Sequence, residues 1–323
     1  MCNLFVIGNG FDLAHDMKTD FNHFRDYLNA KYLGKYKNML YVPESVINNH
    51  GEEIQNDDEV ISLITYLLNK EASYDTTQQY DWNRLEDIHG KIDLFECLDN
   101  VEPQYDKEGD RNYSWEYDNA ESVCRNVALS IKSINKFLSE WIHTIKIADS
   151  PIEQFKKIIN PEKDLFFTFN YTQTLEKLYR CSKKNVCHIH GMVSDPPYFQ
   201  TEELILGHCG QIDYLGNESI PYNMNKNLQI IYESLRKNID EQIFLHKDFF
   251  KEISNTPIWG IYSFGFSFSD VDLPYIRKIC DSLNTKNIVW WLNEYDSISK
   301  REEYKKILIK CGFEGDFFTY NVS

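Results

Sequence analysis

Apolar residues fall along this chain in two patterns: short unbroken runs, and longer stretches where they recur every third or fourth position. Leu4-Phe5-Val6-Ile7 and Leu165-Phe166-Phe167 are the clearest runs. Each is too short for a helix and is soon followed by glycine or polar residues, as in strands buried on both faces. Further strands are predicted over 185–190, 204–206, 258–264, 287–292 and 317–322. Helical spacing occurs at Phe21, Phe24, Tyr27 and Leu28, and at Ile61, Ile64, Leu67 and Leu68 behind an Asp57-Asp58 start. Trp82, Leu85, Ile88 and Ile92 fit another helix, and Val123, Val127, Ile131, Ile134, Leu138 and Ile142 make the clearest amphipathic one. Later helices are predicted behind Thr172 as a cap, over 222–250, over 274–283 with Pro274 in the first turn, and over 297–311.

Repeated strand–helix alternation defines an α/β class with a doubly wound, Rossmann-like parallel sheet. The predicted core is 1–33 with 161–323, interrupted by a large helical insertion over 34–160 whose polar stretch 99–119 reads as an exposed loop. Composition narrows the function classes. With 34 Lys and Arg against 50 Asp and Glu, the formal charge of −16 leaves no strong surface for nucleic-acid phosphates. No apolar run approaches the roughly 18 residues that span a bilayer. The first apolar run lacks a preceding basic region, so no membrane association and a cytoplasmic location are expected. The eight cysteines form no CxxC pair and read as reduced, mostly buried thiols.

The candidate chemistry collects where predicted strands end. Gly8-Asn9-Gly10-Phe11-Asp12, Thr168-Phe169-Asn170-Tyr171-Thr172, His188-Ile189-His190-Gly191 and Gly265 through Asp272 converge on one crevice if their strands are parallel. Glycines there admit a positive φ and let a phosphate approach backbone N–H groups. Asp12 and Asp272 supply carboxylates, and a histidine is a suitable proton carrier near neutrality. Blander readings stand beside these: a tight strand–helix turn for the glycines, a helix cap for Asp12, an Asx turn for Asn170. His188 and His190, two apart on a strand, would share a face. With His208 and Cys209 they make a set too diffuse for zinc, so no metal is expected.

Together, Val6 through Asp12, Phe167 through Thr172, His188 through Gly191, Leu206-Gly207-His208 and Gly265 through Asp272 resemble the bacteriophage abortive-infection AbiH family, with Trp82 and Leu85-Glu86 as a further match in the insertion. The same phrases more weakly resemble sirtuin-like domains. Gly8-Asn9-Gly10 stands for their Gly-Ala-Gly turn, Thr168-Phe169-Asn170 for a Thr-Gln-Asn strand end, His190-Gly191 for a His-Gly pair and Gly265-Phe266-Ser267 for a Gly-x-Ser turn. That resemblance implies NAD as substrate or ligand, Asn170, His190 and Asp12 as catalytic groups, and Gly8, Asn9, Gly10, Phe11, Tyr171, Gly265, Ser267, Asp270 and Asp272 around the nucleotide. Glu86 from the insertion joins that list. The paired CxxC zinc module of deacylating sirtuins is missing, which leaves simple NAD hydrolysis to nicotinamide and ADP-ribose.

The expectation is therefore an anti-phage, abortive-infection protein with a nucleotide as small-molecule partner and a phage-derived trigger. Oligomerisation with copies of itself stays open. Two alternatives also stay open. Arg84 and His89 resemble the active-site spacing of HEPN ribonucleases, which would make the insertion an RNA-cutting effector. The core could instead be a non-catalytic nucleotide-binding sensor.

Overall fold

Six parallel strands carry the architecture: β1 (Cys2–Ile7), β4 (Leu165–Thr168), β5 (Val186–His188), β6 (Ile258–Phe264), β7 (Val289–Asn293) and β8 (Asp316–Tyr320), while β2 (Val46–Ile47) and β3 (Glu53–Ile54) form a separate antiparallel pair. This is seen in a computed structural model that describes residues 2–32, 39–73, 95–98, 101, 103–193, 204–206 and 236–322. The sheet order is β5-β4-β1-β6-β7-β8. From β1 the chain steps outward through β4 to β5, then returns to β6 on the other flank of β1 and steps outward again. That reversal beside the first strand is the signature of the doubly wound, Rossmann-like class, and it marks where such sheets bind ligands.

The strands are nearly all apolar because both sheet faces are covered. Leu4, Val6, Phe167, Ile261 and Trp290 face the helices Lys247–Asn255, Leu273–Asp281 and Ile298–Lys310, through Phe250, Ile276 and Leu308 among others. Phe5, Ile7, Phe166 and Phe264 face Phe155, Leu175 and Tyr179 on the other side. Part of the aromatic enrichment has a geometric role. Phe166, Phe5, Tyr262, Trp291 and Phe318 are register partners on five neighbouring strands, with successive ring centroids 5.3, 5.0, 5.5 and 5.4 Å apart. Such cross-strand aromatic pairs stabilise a sheet by side-chain contact as well as by area buried.

The chain divides into two compact units, one of residues 1–20, 139–205 and 238–323, the other of 21–138 and 206–237. The first contains the sheet. In the second, the helix Asp57–Ser73 opens as expected, with the Asn56 side chain accepting from the N–H groups of Asp58 and Glu59 at 3.0 and 3.2 Å, and it buries Ile61, Ile64 and Leu67. The long amphipathic stretch is two helices, Tyr113–Lys132 and Ile134–Thr144, that meet at Ser133. The predicted 99–119 loop ends early because Asn112 caps the first of them, accepting from Trp115 N–H at 3.0 Å. Residues 204–206 are not a strand: Ile205 N–H donates to the His190 carbonyl at 2.9 Å, and among the described residues these three join no ladder. The expected helix at Trp82–Ile92, and with it Arg84, Glu86 and His89, lies outside the described residues, as does 222–235 of the helix expected over 222–250. Of that helix, the described part is two helices, Ile239–Leu245 and Lys247–Asn255.

At the reversal point β1 and β6 leave the sheet side by side, and their turns touch through bare backbone. Gly8 N–H donates to Phe264 O at 3.0 Å and Gly10 N–H to Gly265 O at 2.9 Å. Gly265 holds φ at +63°, and a methyl group placed on it would lie 2.3 Å from the carbonyl carbon of Gly10. One on Gly8 would lie 2.5 Å from Gly265 O. Adding a left-handed backbone penalty of about 1–2 kcal/mol to an overpacking penalty of about 1–3 kcal/mol, Gly265→Ala is expected to lose about 2–5 kcal/mol of stability. Urea denaturation of the two proteins measures this; equal midpoints would refute the contact.

Candidate functional site

Asp12 is 1% exposed, and it sits inside the short helix Gly10–Leu13, where it caps nothing. Its carboxylate accepts two hydroxyls, from Thr172 at 2.5 Å and Thr174 at 2.8 Å. Thr172 is therefore not the helix cap that its position suggested; Gln173 precedes the helix Thr174–Leu178 instead. Burial pushes the Asp12 pKa up to about 6, against smaller opposing effects from the two hydroxyls, the positive field of His188 and the nearby Asn170 amide.

His188 closes β5 with both ring nitrogens engaged. Nδ1 lies 2.9 Å from the backbone oxygen of Asn170 and Nε2 lies 2.8 Å from Oε1 of Glu176. A carbonyl only accepts, so Nδ1 carries a hydrogen. The imidazole and carboxylate are 6% and 9% exposed.

His190 takes a different set of neighbours. Its Nε2 is 3.4 Å from Asp272 Oδ1, with both side chains buried, and its ring packs edge-on to Phe169 at 5.2 Å and to Tyr275 at 5.8 Å. The expectation that His188 and His190 share one strand face fails, because β5 ends at His188 and Gly191, at φ +80°, folds back so that its N–H reaches the His188 carbonyl. His208 and Cys209 lie outside the described residues, and the seven described cysteines are free and buried.

Asn170 lies two residues beyond the end of β4. Its N–H donates to Thr168 Oγ1 at 3.1 Å, and its carbonyl holds His188. The side chain is 7% exposed, and neither its nitrogen nor its oxygen completes a hydrogen bond. It comes near enough to Asp12 to favour the ionised carboxylate, but without hydrogen-bonding geometry.

The remaining expected residues divide. Tyr171 donates to Ile205 O at 2.9 Å, Ser267 is half-buried, and Asp270 is exposed. Phe11 is fully buried against Phe155 and Phe264, both at 5.1 Å, which is a core position. The N–H groups of Gly8, Gly10 and Phe11 are bonded to Phe264 O, Gly265 O and Gly8 O, so the glycines serve first the approach of two turns. Thr174 and Glu176 had no place among the sequence candidates. The alternation Thr172, Thr174, Glu176 is a faint signal, since its partners lie on other strands.

The fold and the strand-end cluster define a doubly wound α/β protein with buried acid, amide and imidazole groups at the carboxyl ends of its central strands. Over residues 4–294 the chain matches the family described as Bacteriophage abortive infection AbiH, and it belongs to that family. This family gives it a role in abortive-infection defence against phage. Comparison with curated proteins and with solved structures gives no match. Among the described residues no helix is long and apolar enough to cross a membrane.

The Asp12 carboxyl binds its proton more tightly in the folded chain, at about 6 against an ordinary 3.8. Its contribution to stability is thus full below about pH 4 and falls away as pH rises to about 6. The stability of the parent protein relative to Asp12→Asn should accordingly drop across that window, by up to about 3 kcal/mol at about 1.4 kcal/mol per pH unit. Denaturation midpoints of both at pH 4, 5, 6 and 7 test this, and a constant difference would refute it.

Proposed function

We propose that the α/β unit of this abortive-infection protein binds NAD at the carboxyl ends of β1, β4 and β5 and hydrolyses it to nicotinamide and ADP-ribose. The observation that carries the reading is the Asn170 amide: nine-tenths buried, without a hydrogen-bond partner at either end, and close to the Asp12 carboxylate. A buried amide left unsatisfied at both ends is best explained by a ligand or water that it orients.

The chemistry follows from the bond broken. Nicotinamide leaves with the electron pair of the C–N bond and is then neutral, so the leaving group needs no protonation. The ribosyl carbon becomes cationic, which an ionised Asp12 favours. Water adds to that carbon and its proton passes to His190, whose imidazolium is balanced by Asp272. In this reading the phosphates are not assigned to the N–H groups of Gly8 and Gly10, which already have acceptors.

Purified protein incubated with NAD, with and without phage lysate, should release free nicotinamide. His190→Ala is expected to slow release by about 10²–10⁴-fold, the span usual for loss of a general base. Asn170→Ala is expected to slow it as well. Undiminished cleavage by both variants would overturn the residue assignments, and no cleavage by the parent protein under either condition would overturn the reaction.

A further inference from the structure

Glu176 stands outside the chemistry above, yet it is the far end of a chain of contacts that leads into it. Its Oε1 meets His188 Nε2 at 2.8 Å, and the opposite nitrogen of the same ring meets the backbone oxygen of Asn170 at 2.9 Å. An imidazole is rigid, so fixing one nitrogen fixes where the other points. The Asn170 peptide is also gripped at its N–H, by Thr168 Oγ1 at 3.1 Å. Two residues on, Thr172 and Thr174 are tied to Asp12. The turn 170–174 is therefore held by His188 at one end and by Asp12 at the other, while the Asn170 side chain makes no hydrogen bond of its own. The direction of that amide therefore depends on how its peptide is held.

We propose that Glu176 is a positioning residue of this site: acting through His188, it fixes the Asn170 peptide and so the direction of the Asn170 side-chain amide. This rests on the NAD-hydrolysis reading only for its effect on rate; the geometric effect is independent of the substrate. Among the described residues, charged groups that face His188 include Glu176, on the helix Thr174–Leu178, and Asp12, on the helix Gly10–Leu13. What the proposal requires is a hydrogen-bonding group at 176, not a charge.

That requirement separates two substitutions. In Glu176→Gln the amide can donate to a neutral Nε2 or accept from a protonated one, so the clamp persists. In Glu176→Ala it is lost. The side-chain amide resonances of Asn170, assigned by their absence in Asn170→Ala, should stay in place in Glu176→Gln and move or broaden in Glu176→Ala at pH 7. With NAD, Glu176→Ala should lower kcat about 10–100-fold, as loss of a group that orients a site residue does, with KM within about twofold. Glu176→Gln should retain most of the rate. Unmoved Asn170 resonances in Glu176→Ala would overturn the proposal, as would equal damage from both substitutions in two proteins that melt like the parent. If Glu176→Ala fails to fold, His188→Asn, which keeps a side-chain N–H for the Asn170 carbonyl but not the link to 176, takes its place, with the same resonances as readout. A parent protein that does not cleave NAD removes the rate test and the NAD reading, but the resonance test still decides the role of Glu176.

Discussion

The contact between the turns after β1 and β6 is the constraint on which the site depends. Both turns leave the sheet where the strand order reverses, and each would occupy the space of the other's side chains if it had any. Gly8, Gly10 and Gly265 remove those side chains, and two backbone hydrogen bonds then lock the turns together. Asp12 follows two residues after Gly10, and Asp272 seven after Gly265. A single close approach thus brings one carboxylate toward the hydroxyls of Thr172 and Thr174 and another toward His190. Glycine here acts through contact geometry rather than through flexibility.

What is assembled there is costly to bury. Asp12, Glu176 and Asp272 are carboxylic groups with almost no exposure, and an unpaired buried charge would be strongly destabilising. Each is answered locally, by two hydroxyls, by His188 and by His190. Three acids stand against two imidazoles in the cluster, an excess of acidic groups. That excess disfavours a phosphate in the same place, in keeping with the occupied N–H groups of the glycine turn.

How much of this was legible in the sequence depends on how far away each partner lies. The runs at Leu4–Ile7 and Leu165–Thr168 announce themselves because strands covered on both faces must be apolar at every position, and the alternation with helices then implies the parallel sheet. The run Leu204-Ile205-Leu206 carries the same local signal but joins no ladder among the described residues. The i, i+2 argument for His188 and His190 assumed a strand that continues, whereas Gly191 turns the chain after His188. Thr172 has the local character of a cap, but a buried carboxylate 160 positions away is the stronger acceptor. Glu176 could not be found from its own surroundings, because its role exists only once β4 and β5 pair and bring His188 over the helix behind it.

Asn170 is the position where local rules and the fold disagree most. Leaving both ends of a buried amide without partners costs on the order of 1–3 kcal/mol for each group, and an apolar side chain at the same place would avoid that loss. The surrounding residues make the disagreement informative. Its own N–H and carbonyl are bonded, the hydroxyls two and four residues later are bonded, and both histidines are paired. Among the described residues Asn170 is a buried side chain open at both ends, and Glu176 Oε2 is open as well. That open amide lies at the carboxyl ends of the central strands, the region where doubly wound sheets in general bind ligands.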